Sequence, residues 1–399
     1  MSIVRLALAY ALRRRLSTLL VVLMLALGVA TVALTLLVAH ELEARLTRDA
    51  EGIDLVVGAK GSPLQIVLAG VYHADVPPGN IPLMAVEALR KNPLIAQVIP
   101  LALGDSFHGF RIVGTEPEFI ARYRGTLAQG ALWTLPLDAV LGSEVARTTQ
   151  LRIGGKFVGS HGLAEGGGEH GDARYSVTGI LAPTGTVLDR LVVTSLASVW
   201  AVHEHHGDAD EGGAEHARKR EVTLALVKYR TPLAAASLPR AIDRETQLVA
   251  ASPAYETARL LTVFGAGVDL IRAFALLLVA ASALMLFVAL ARALDERRYD
   301  LAIMRTLGAS RAQVAAVLIT ESLVLTAAGI LLGLALAHLA ASTIGLWLPQ
   351  AAPLASAARN FLPQEWAVVA LALAAGIIAA LWPAWRAYRL DVAATLAEG

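Results

Sequence analysis

The sequence predicts an α-helical membrane protein with four transmembrane helices and a large α+β extracytoplasmic domain between helices 1 and 2. The 399-residue chain is 56% hydrophobic and 17% charged, which is too apolar for an ordinary soluble protein. The apolar residues are concentrated in four long runs, and each run is long enough to be a membrane span. Between the first and second runs, short β-like segments alternate with helical ones, a mixture that indicates an α+β domain.

The first apolar run covers residues 16–39 and carries no charge. It is longer than the apolar region of a secretory signal peptide, which is typically about 7–15 residues. A cleaved signal peptide is the alternative, but a charged helical pattern continues directly after the run, so we interpret it as a retained anchor. The other runs predict transmembrane helices over about 271–293, 312–345 and 364–385.

The positive charges predict the orientation of these helices. Arginines cluster before the first run, between the second and third runs, and after the fourth. By the positive-inside rule, both termini and the segment 294–311 are cytoplasmic. The predicted domains are therefore 1–39 with helix 1, the extracytoplasmic domain 40–262 with stalk helices, and 263–399 with helices 2–4.

The extracytoplasmic domain contains β-like runs punctuated by glycine and proline. Strands are predicted at 54–57, 97–103, 110–113, 139–141, 156–158, 175–180, 190–193 and 222–228. Helices are predicted at 83–91, 116–123, 143–149, 196–202 and 233–246. Residues 54–80 are interpreted as a strand followed by a loop, either a structural turn or a contact for cargo. Lys60 in this stretch lacks the spacing of a phosphate-binding loop, and the sequence contains no such motif.

The cytoplasmic segment 294–311 is expected to form a short helix at the membrane surface. Leu301, Met304 and Leu307 share a face at three-residue spacing. Gly308 is expected to end this helix and Ser310 to cap the next one, so that the chain turns back into the membrane. Two interpretations stay open, a lever for a cytosolic partner and a basic loop that only sets the topology.

The same segment resembles the cytoplasmic signature of the FtsX-like permeases, the MacB, LolC and FtsX group of ABC transporter permeases. The resemblance lies in Glu296-Arg297-Arg298 and in the run from Leu301 to Ala309. Segments 113–117, 141–146, 151–155 and 177–181 are similar to the recurring strands and glycine turns of the MacB-type periplasmic core domain. Lys156 departs from that pattern, because an acidic residue is expected there. Residues 383–387 resemble the ending of the family.

The resemblance implies a permease subunit in the bacterial inner membrane that has no nucleotide-binding site and is not an enzyme. ATP would be bound and hydrolysed by a separate ABC ATPase subunit of the MacB/LolD type. The permease would act as a homodimer or with a similar permease, and with a periplasmic adaptor or cargo protein. Hydrolysis would move the periplasmic domain (mechanotransmission) to export or extract a lipoprotein, lipid or peptide. The residues expected to couple to the ATPase are Glu296, Arg297, Arg298, Arg305 and Gly308.

The third apolar run contains a small-residue motif and two ionisable residues. Gly329 and Gly333 are spaced to let another helix approach closely. A carboxylate in a span usually faces protein or water, so Glu321 is expected to pack against a neighbour or anchor the helix at the interface rather than relay protons. His338 is expected near the outer interface.

Six histidines fall in two insertions rich in glycine and acidic residues, 161–174 and 203–220. Imidazoles and carboxylates at this density can capture Zn²⁺ or a similar ion outside the membrane. A solvated loop is the competing interpretation, because a flexible loop loses entropy for each ligand that it orders. The candidate ligands are His161, His170, His203, His205, His206 and His216.

These histidines support an alternative function, a metal-responsive, membrane-anchored binding or sensor protein with Zn²⁺ as its cofactor. A hydrolase has no support, because the chain contains neither cysteine nor a convincing Ser/His/Asp arrangement. The net charge of +1 does not favour nucleic acid as a partner.

Overall fold

The computed structural model describes residues 15–161, 169–204, 220–348, 351–392 and 395. These residues form two compact units. One contains Ala44–Thr262, and the other contains the remaining described residues. The helices are, in chain order, α1 (Arg15–Ala50), α2 (Pro63–Gly70), α3 (Leu83–Arg90), α4 (Glu118–Arg122), α5 (Ser143–Thr149), α6 (Leu196–Glu204), α7 (Ala234–Glu245), α8 (Pro253–Glu296), α9 (Arg298–Thr306), α10 (Arg311–Trp347), α11 (Ala352–Ala357) and α12 (Glu365–Tyr388).

Four of these helices, α1, α8, α10 and α12, are long and apolar enough to cross a membrane. All four begin or end beyond the apolar runs from which they were predicted. α1 continues eleven positions past residue 39, and α8 begins eighteen positions before residue 271. The predicted fold class, four transmembrane helices with an α+β domain between the first and second, is confirmed.

The extracytoplasmic unit is built on one mixed sheet. Its strands are β1 (Leu55–Ala59), β2 (Ile81–Pro82), β3 (Ile95–Phe107), β4 (Phe110–Thr115), β5 (Leu127–Gly130), β6 (Asp138–Leu141), β7 (Lys156–His161), β8 (Glu169–Leu181), β9 (Leu191–Ser195), β10 (Glu221–Val222), β11 (Leu224–Tyr229) and β12 (Leu248–Ala251). Along the described sheet the order is β12-β1-β11-β3-β4-β9-β6-β8-β5, with β7 beside β3 and β8. β2 and β10 form a separate pair.

Most pairings in the large sheet are antiparallel, while β4–β9 and β6–β8 are parallel. The sheet has an apolar core on both faces, as the alternation along β1 shows. Val56 packs with Ile66 and Leu226 on one face, whereas Leu55 and Val57 pack with Ile242 on the other. Period-two alternation therefore buries both sides of this strand.

The prediction for the segment 54–80 is wrong in part. It was interpreted as a strand and a loop, but Pro63–Gly70 forms α2 directly after β1. Pro63 stands in the first helical turn, where the missing N–H costs nothing, and Ile66 and Val67 are buried. The neighbouring glycines and prolines concealed this short helix. The edge strands β5 and β12 were also not predicted.

The extracytoplasmic ends of α1 and α8 are held together inside this unit. The Tyr72 hydroxyl lies 2.5 Å from the Thr257 hydroxyl on α8 and donates to the Leu46 carbonyl on α1 at 3.3 Å. On the last turn of α1, Asp49 accepts a hydrogen bond from the Val187 amide at 2.7 Å. The Asp49 side chain is buried, and burial raises its pKa. The two long helices thus end in a buried, hydrogen-bonded junction.

Candidate coupling site

The segment between α8 and α10 forms a tight corner that begins with a helix break. α8 ends at Glu296, and Arg297 leaves the helical conformation with φ −106° and ψ 6°. The Arg297 carbonyl then accepts the Leu301 amide at 2.9 Å, which starts α9. One face of α9 is apolar and buried, with Leu301 packed in a cluster that contains Leu294 and Leu318. This cluster holds α9 against its neighbouring helices.

A buried ion pair joins the break between α8 and α9 to α10. The Arg297 guanidinium donates from Nη1 to Glu321 Oε2 at 2.9 Å, and the two side chains are 10% and 6% exposed. Sequence reasoning placed these two residues in different roles, one in coupling and one in helix packing. Removing one member of such a pair is costly, because the other charge stays buried.

Asp295 links the start of α9 to the end of α12. Its carboxylate lies 2.7 Å from Arg298 and 3.6 Å from Arg386. Both ion pairs are partly exposed and therefore weaker than the buried pair. Asp295 was missed as a site residue because a single aspartate beside a span carries no sequence signal of its partners.

The end of α9 has the hydrogen bonds of a Schellman motif. The Ala309 amide donates to the Met304 carbonyl at 3.0 Å, and the Gly308 amide donates to the Arg305 carbonyl at 3.2 Å. Gly308 has φ +99°, a conformation that favours glycine. The Arg305 side chain donates to the Ala309 carbonyl at 2.8 Å, so it stabilises the same turn.

α10 begins with a capping box. The Ser310 hydroxyl accepts the Gln313 amide at 3.2 Å, and the Gln313 side chain accepts the Ser310 amide at 2.7 Å. The predicted turn, with Gly308 ending one helix and Ser310 capping the next, is therefore present in the structure.

An apolar row lies on the exposed side of α9. Tyr299 and Ile303 lie one turn apart on α9, Leu307 follows directly after the helix at the same four-residue spacing, and all three are exposed. The sequence interpretation had placed Leu307 with Leu301 and Met304 on one face. That placement is wrong, because Leu307 stands past the last residue of α9 and its side chain is 82% exposed.

The expected coupling residues divide into two sets. Arg297 and Arg305 make the contacts described above and stabilise the connection between α8 and α10. Glu296 and Gly308 are exposed, and Arg298 is partly exposed. The exposed set lies beside the apolar row, which the sequence interpretation did not single out.

The small-residue motif of α10 lies against α1. A Cβ on Gly333 would lie 2.6 Å from the Ala26 carbonyl oxygen and 2.7 Å from the Val29 Cβ. A Cβ on Gly329 would lie 2.8 Å from Leu25 Cδ2. Both glycines thus permit a close approach of the two helices.

A polar contact between side chains also joins α10 to α12. His338 lies 2.7 Å from the Ala358 carbonyl and 3.0 Å from the carboxylate of Glu365, which is fully buried. Glu365 also accepts the Leu362 amide at 3.2 Å. The sequence had suggested His338 only as an interfacial residue.

The candidate metal ligands are not brought into a site by the described structure. His205, His206 and His216 lie outside the described residues. His161 and His170 belong to β7 and β8, and His203 belongs to α6. Among the residues whose side chains are described, no group of three histidine, aspartate or glutamate side chains could hold a metal ion.

Two solved structures of bacterial transporter domains are each similar to about half of the chain. The first is the periplasmic region of MacB from Actinobacillus actinomycetemcomitans, at 13% identity and a TM-score of 0.35, covering 54% of this chain and 95% of that one. The second is the extracellular domain of the noncanonic ABC-type transporter YknZ from Gram-positive bacteria. It has 10% identity and a TM-score of 0.30, covering 50% of this chain and 98% of that one.

No curated protein sequence matches the chain. Two family models do. Residues 18–264 match the MacB-like periplasmic core domain, and residues 272–392 match the FtsX-like permease C-terminal region. The first match alone covers more than half of the chain, and its end at residue 264 lies close to the end of the extracytoplasmic unit at Thr262. The chain therefore belongs to the MacB/FtsX-like family of ABC transporter permeases.

Proposed function

We propose that this permease couples ATP hydrolysis by a separate ABC ATPase subunit to movement of its extracytoplasmic domain. The observation that carries the proposal is the exposed apolar row formed by Tyr299 and Ile303 on α9 and by Leu307 directly after it. Exposed apolar residues on a helix that is tied to its neighbours form a ready docking surface for another protein. We name this row the docking row.

The proposal places the docking row in the cytoplasm. Arg297, Arg298, Arg305 and Arg311 lie in this short connection between two spans, and further arginines lie before α1 and at the end of α12. The positive-inside rule assigns these regions to the cytoplasmic side, with both termini. An ATPase that binds nucleotide in the cytoplasm would then meet the docking row directly.

Rigid connections support transmission of the movement. The Arg297–Glu321 pair ties α9 to α10, and Asp295 ties it to the end of α12. A push on the docking row would therefore move helices rather than bend a loop. At the other end, Tyr72 and Asp49 lock the last turn of α1 into the extracytoplasmic unit. Because α1 and α8 are continuous helices, they are the paths by which we propose the movement travels.

The proposed assembly pairs this chain with a second copy or a similar permease, together with an ATPase of the MacB/LolD type. The proposed cargo is a periplasmic or membrane compound such as a lipoprotein, lipid or peptide. The extracytoplasmic domain is the part that would engage the cargo or a periplasmic adaptor, because it is the large folded unit outside the bilayer.

The test is to purify the tagged full chain from membranes of its source cells and to measure ATP hydrolysis in the eluate. Leu307→Glu places a charge at the most exposed position of the docking row. We expect ATPase activity to accompany the wild-type chain and to fall about tenfold or more in this variant, since a buried unpaired charge at an interface costs several kcal/mol.

The matched control is Leu233→Glu, which makes the same change at a leucine 73% exposed on the extracytoplasmic unit. It should retain wild-type ATPase activity. Equal activity in all three eluates, or none with the wild-type chain, would contradict coupling through α9. Thermal unfolding of each variant in detergent checks that the fold is intact.

A further inference from the structure

An open, basic cleft lies in the extracytoplasmic unit, beside the end of α1. Its volume is about 550 Å³, within the range of roughly 300–1,000 Å³ found for small-molecule sites. Four cationic side chains line it, from three separate parts of the chain: Arg48, Arg122, Arg124 and Lys228. We call this the basic cleft.

The charges of the basic cleft are unbalanced. Arg48 has an interaction partner of its own, which leaves Arg122, Arg124 and Lys228 against Glu51, the one carboxylate in the described lining. The Arg124–Glu51 contact spans 3.6 Å between two exposed side chains, so water and salt screen it strongly. Asp54 lies near Arg122, but its carboxylate accepts the Tyr229 amide at 2.7 Å. The cleft therefore keeps a surplus of positive charge.

The backbone around Gly52 fixes the position of the Arg122 side chain. Its guanidinium lies against Gly52, where a Cβ would collide with it, and donates to the Glu51 carbonyl at 3.4 Å. Gly52 has φ +71°, so both its conformation and its missing side chain serve this arrangement. Burial lowers the pKa of Arg122, but a guanidinium remains charged at physiological pH. Arg122 is a pre-positioned cation, not a mobile surface group.

The part of the cleft that Thr184 and Thr186 line is also ordered. Asp189 accepts the Thr184 amide at 2.8 Å and the Gly185 amide at 2.7 Å. The Thr184 and Thr186 hydroxyls, whose residues line the cleft, lie 2.7 Å apart. These hydrogen bonds fix the loop before a ligand arrives, so binding loses little conformational entropy there.

We propose that the basic cleft binds a phosphate-bearing anion of the phosphomonoester or diphosphate class. Such a group carries several acceptor oxygens and more than one negative charge, which suits a cleft lined by several cations better than a single carboxylate does. The phosphate belongs either to the head group of an anionic amphiphile or to a soluble compound. The proposal depends on the extracytoplasmic unit alone and stands whether or not α9 docks an ATPase.

The test uses the full chain in phosphatidylcholine nanodiscs, titrated with inorganic pyrophosphate in a calorimeter. We expect saturable binding that weakens with salt. The variant Arg124→Gln/Lys228→Gln removes two exposed cations of the cleft and should raise the Kd about tenfold or more, because charge-assisted hydrogen bonds are the strong contacts of such a site.

The matched control is Arg152→Gln/Lys156→Gln, which removes two exposed cations from the same unit outside the cleft lining. Its Kd should stay within roughly twofold of wild type, since distant exposed charges are screened. Absence of saturable binding, or equal weakening in both double variants, would overturn the proposal. Equal thermal midpoints for the two variants ensure that the comparison reports binding and not folding.

A second membrane distinguishes the two sources of phosphate. The titration is repeated in nanodiscs with roughly equal phosphatidylcholine and phosphatidic acid, whose head group is a phosphomonoester. If the cleft takes a lipid head group, the apparent Kd for pyrophosphate rises in the wild-type chain, and the Arg124→Gln/Lys228→Gln variant does not show that rise. If the cleft takes a soluble phosphate compound, the wild-type Kd changes no more than that of the Arg124→Gln/Lys228→Gln variant.

Discussion

Arg297 and Glu321 form a buried ion pair, 2.9 Å between Nη1 and Oε2, that joins the break between α8 and α9 to α10. The pair lies beside the apolar cluster of Leu294, Leu301 and Leu318, where an unpaired charge would be poorly solvated. It therefore determines where α9 sits, and with it the docking row.

Replacing one member of this ion pair should destabilise the protein more than replacing both members. Arg297→Met or Glu321→Gln alone leaves one buried group without its partner and should lower stability by about 3–5 kcal/mol. The double variant Arg297→Met/Glu321→Leu should recover most of this loss, because two apolar side chains suit the surrounding cluster. Thermal unfolding in detergent measures all three. A double variant no more stable than the worse single variant would show that the pair is not the dominant contact.

Gly308→Ala should destabilise the turn between α9 and α10. The cost is backbone strain of about 1–2 kcal/mol, since Gly308 has φ +99° and a Cβ there would meet nothing within 4 Å. Gly308→Asn should lose less, because asparagine tolerates positive φ better than alanine. The readouts are the thermal midpoint and the ATPase activity that accompanies the chain. Equal effects of the two substitutions would argue against strain as the cause.

Gly333→Ala should push α10 away from α1. The new Cβ would meet the Ala26 carbonyl oxygen and the Val29 side chain at 2.6–2.7 Å, contacts that real Cβ atoms do not make. We expect a loss of about 1–3 kcal/mol, typical of overpacking. The control is Gly267→Ala on α8, where a Cβ meets nothing within 4 Å and helix propensity favours alanine by roughly 1 kcal/mol. Thermal midpoints that shift alike in both variants would refute the close approach.

Tyr72→Phe should loosen the junction between α1 and α8. Removing the hydroxyl leaves the buried Thr257 side chain without the partner described above, at a cost of about 1–3 kcal/mol. Amide hydrogen exchange in the last turn of α1 should accelerate. Tyr255→Phe, at an exposed tyrosine in the first turn of α8, is the control and should leave exchange unchanged. Unchanged exchange in Tyr72→Phe would mean that packing alone holds the junction.

His73 should make the extracytoplasmic unit sensitive to acid. Burial, with smaller contributions from the charges of Arg111 and Arg190, lowers its pKa from 6.5 to about 3. Between these two values the unfolded chain binds a proton that the folded chain excludes. The unit is therefore destabilised as the pH falls below about 6.5, by about 2 kcal/mol at pH 5.

The variant His73→Asn tests this linkage, because asparagine accepts the φ of +52° observed at this position. Thermal midpoints of the extracytoplasmic unit are compared at about pH 7.5 and pH 5. The wild-type midpoint should fall by roughly 4–8 °C more than that of the variant. Equal falls in the thermal midpoints of the wild type and the variant would assign the acid sensitivity to other groups. This holds whatever the midpoint of the variant at neutral pH.

Most of the secondary structure was predictable, since it depends on local signals. The four apolar runs, the glycine turn at Gly308 and the cap at Ser310 each act within a few neighbouring residues. α2 escaped prediction because eight residues between glycines and prolines show too little periodicity. β5 and β12 escaped because short edge strands are defined by their partners more than by their own composition.

By itself, the sequence determined the membrane class of this protein, its α+β domain and its resemblance to a permease family, because hydrophobicity and turn chemistry are properties of short segments. Only the tertiary structure decided that Arg297 pairs with Glu321, that the Leu307 side chain is exposed, and that four cations line one cleft. Those contacts join residues that are distant in the chain or separated by a helix end. Their free energies depend on burial and geometry, which no local pattern records.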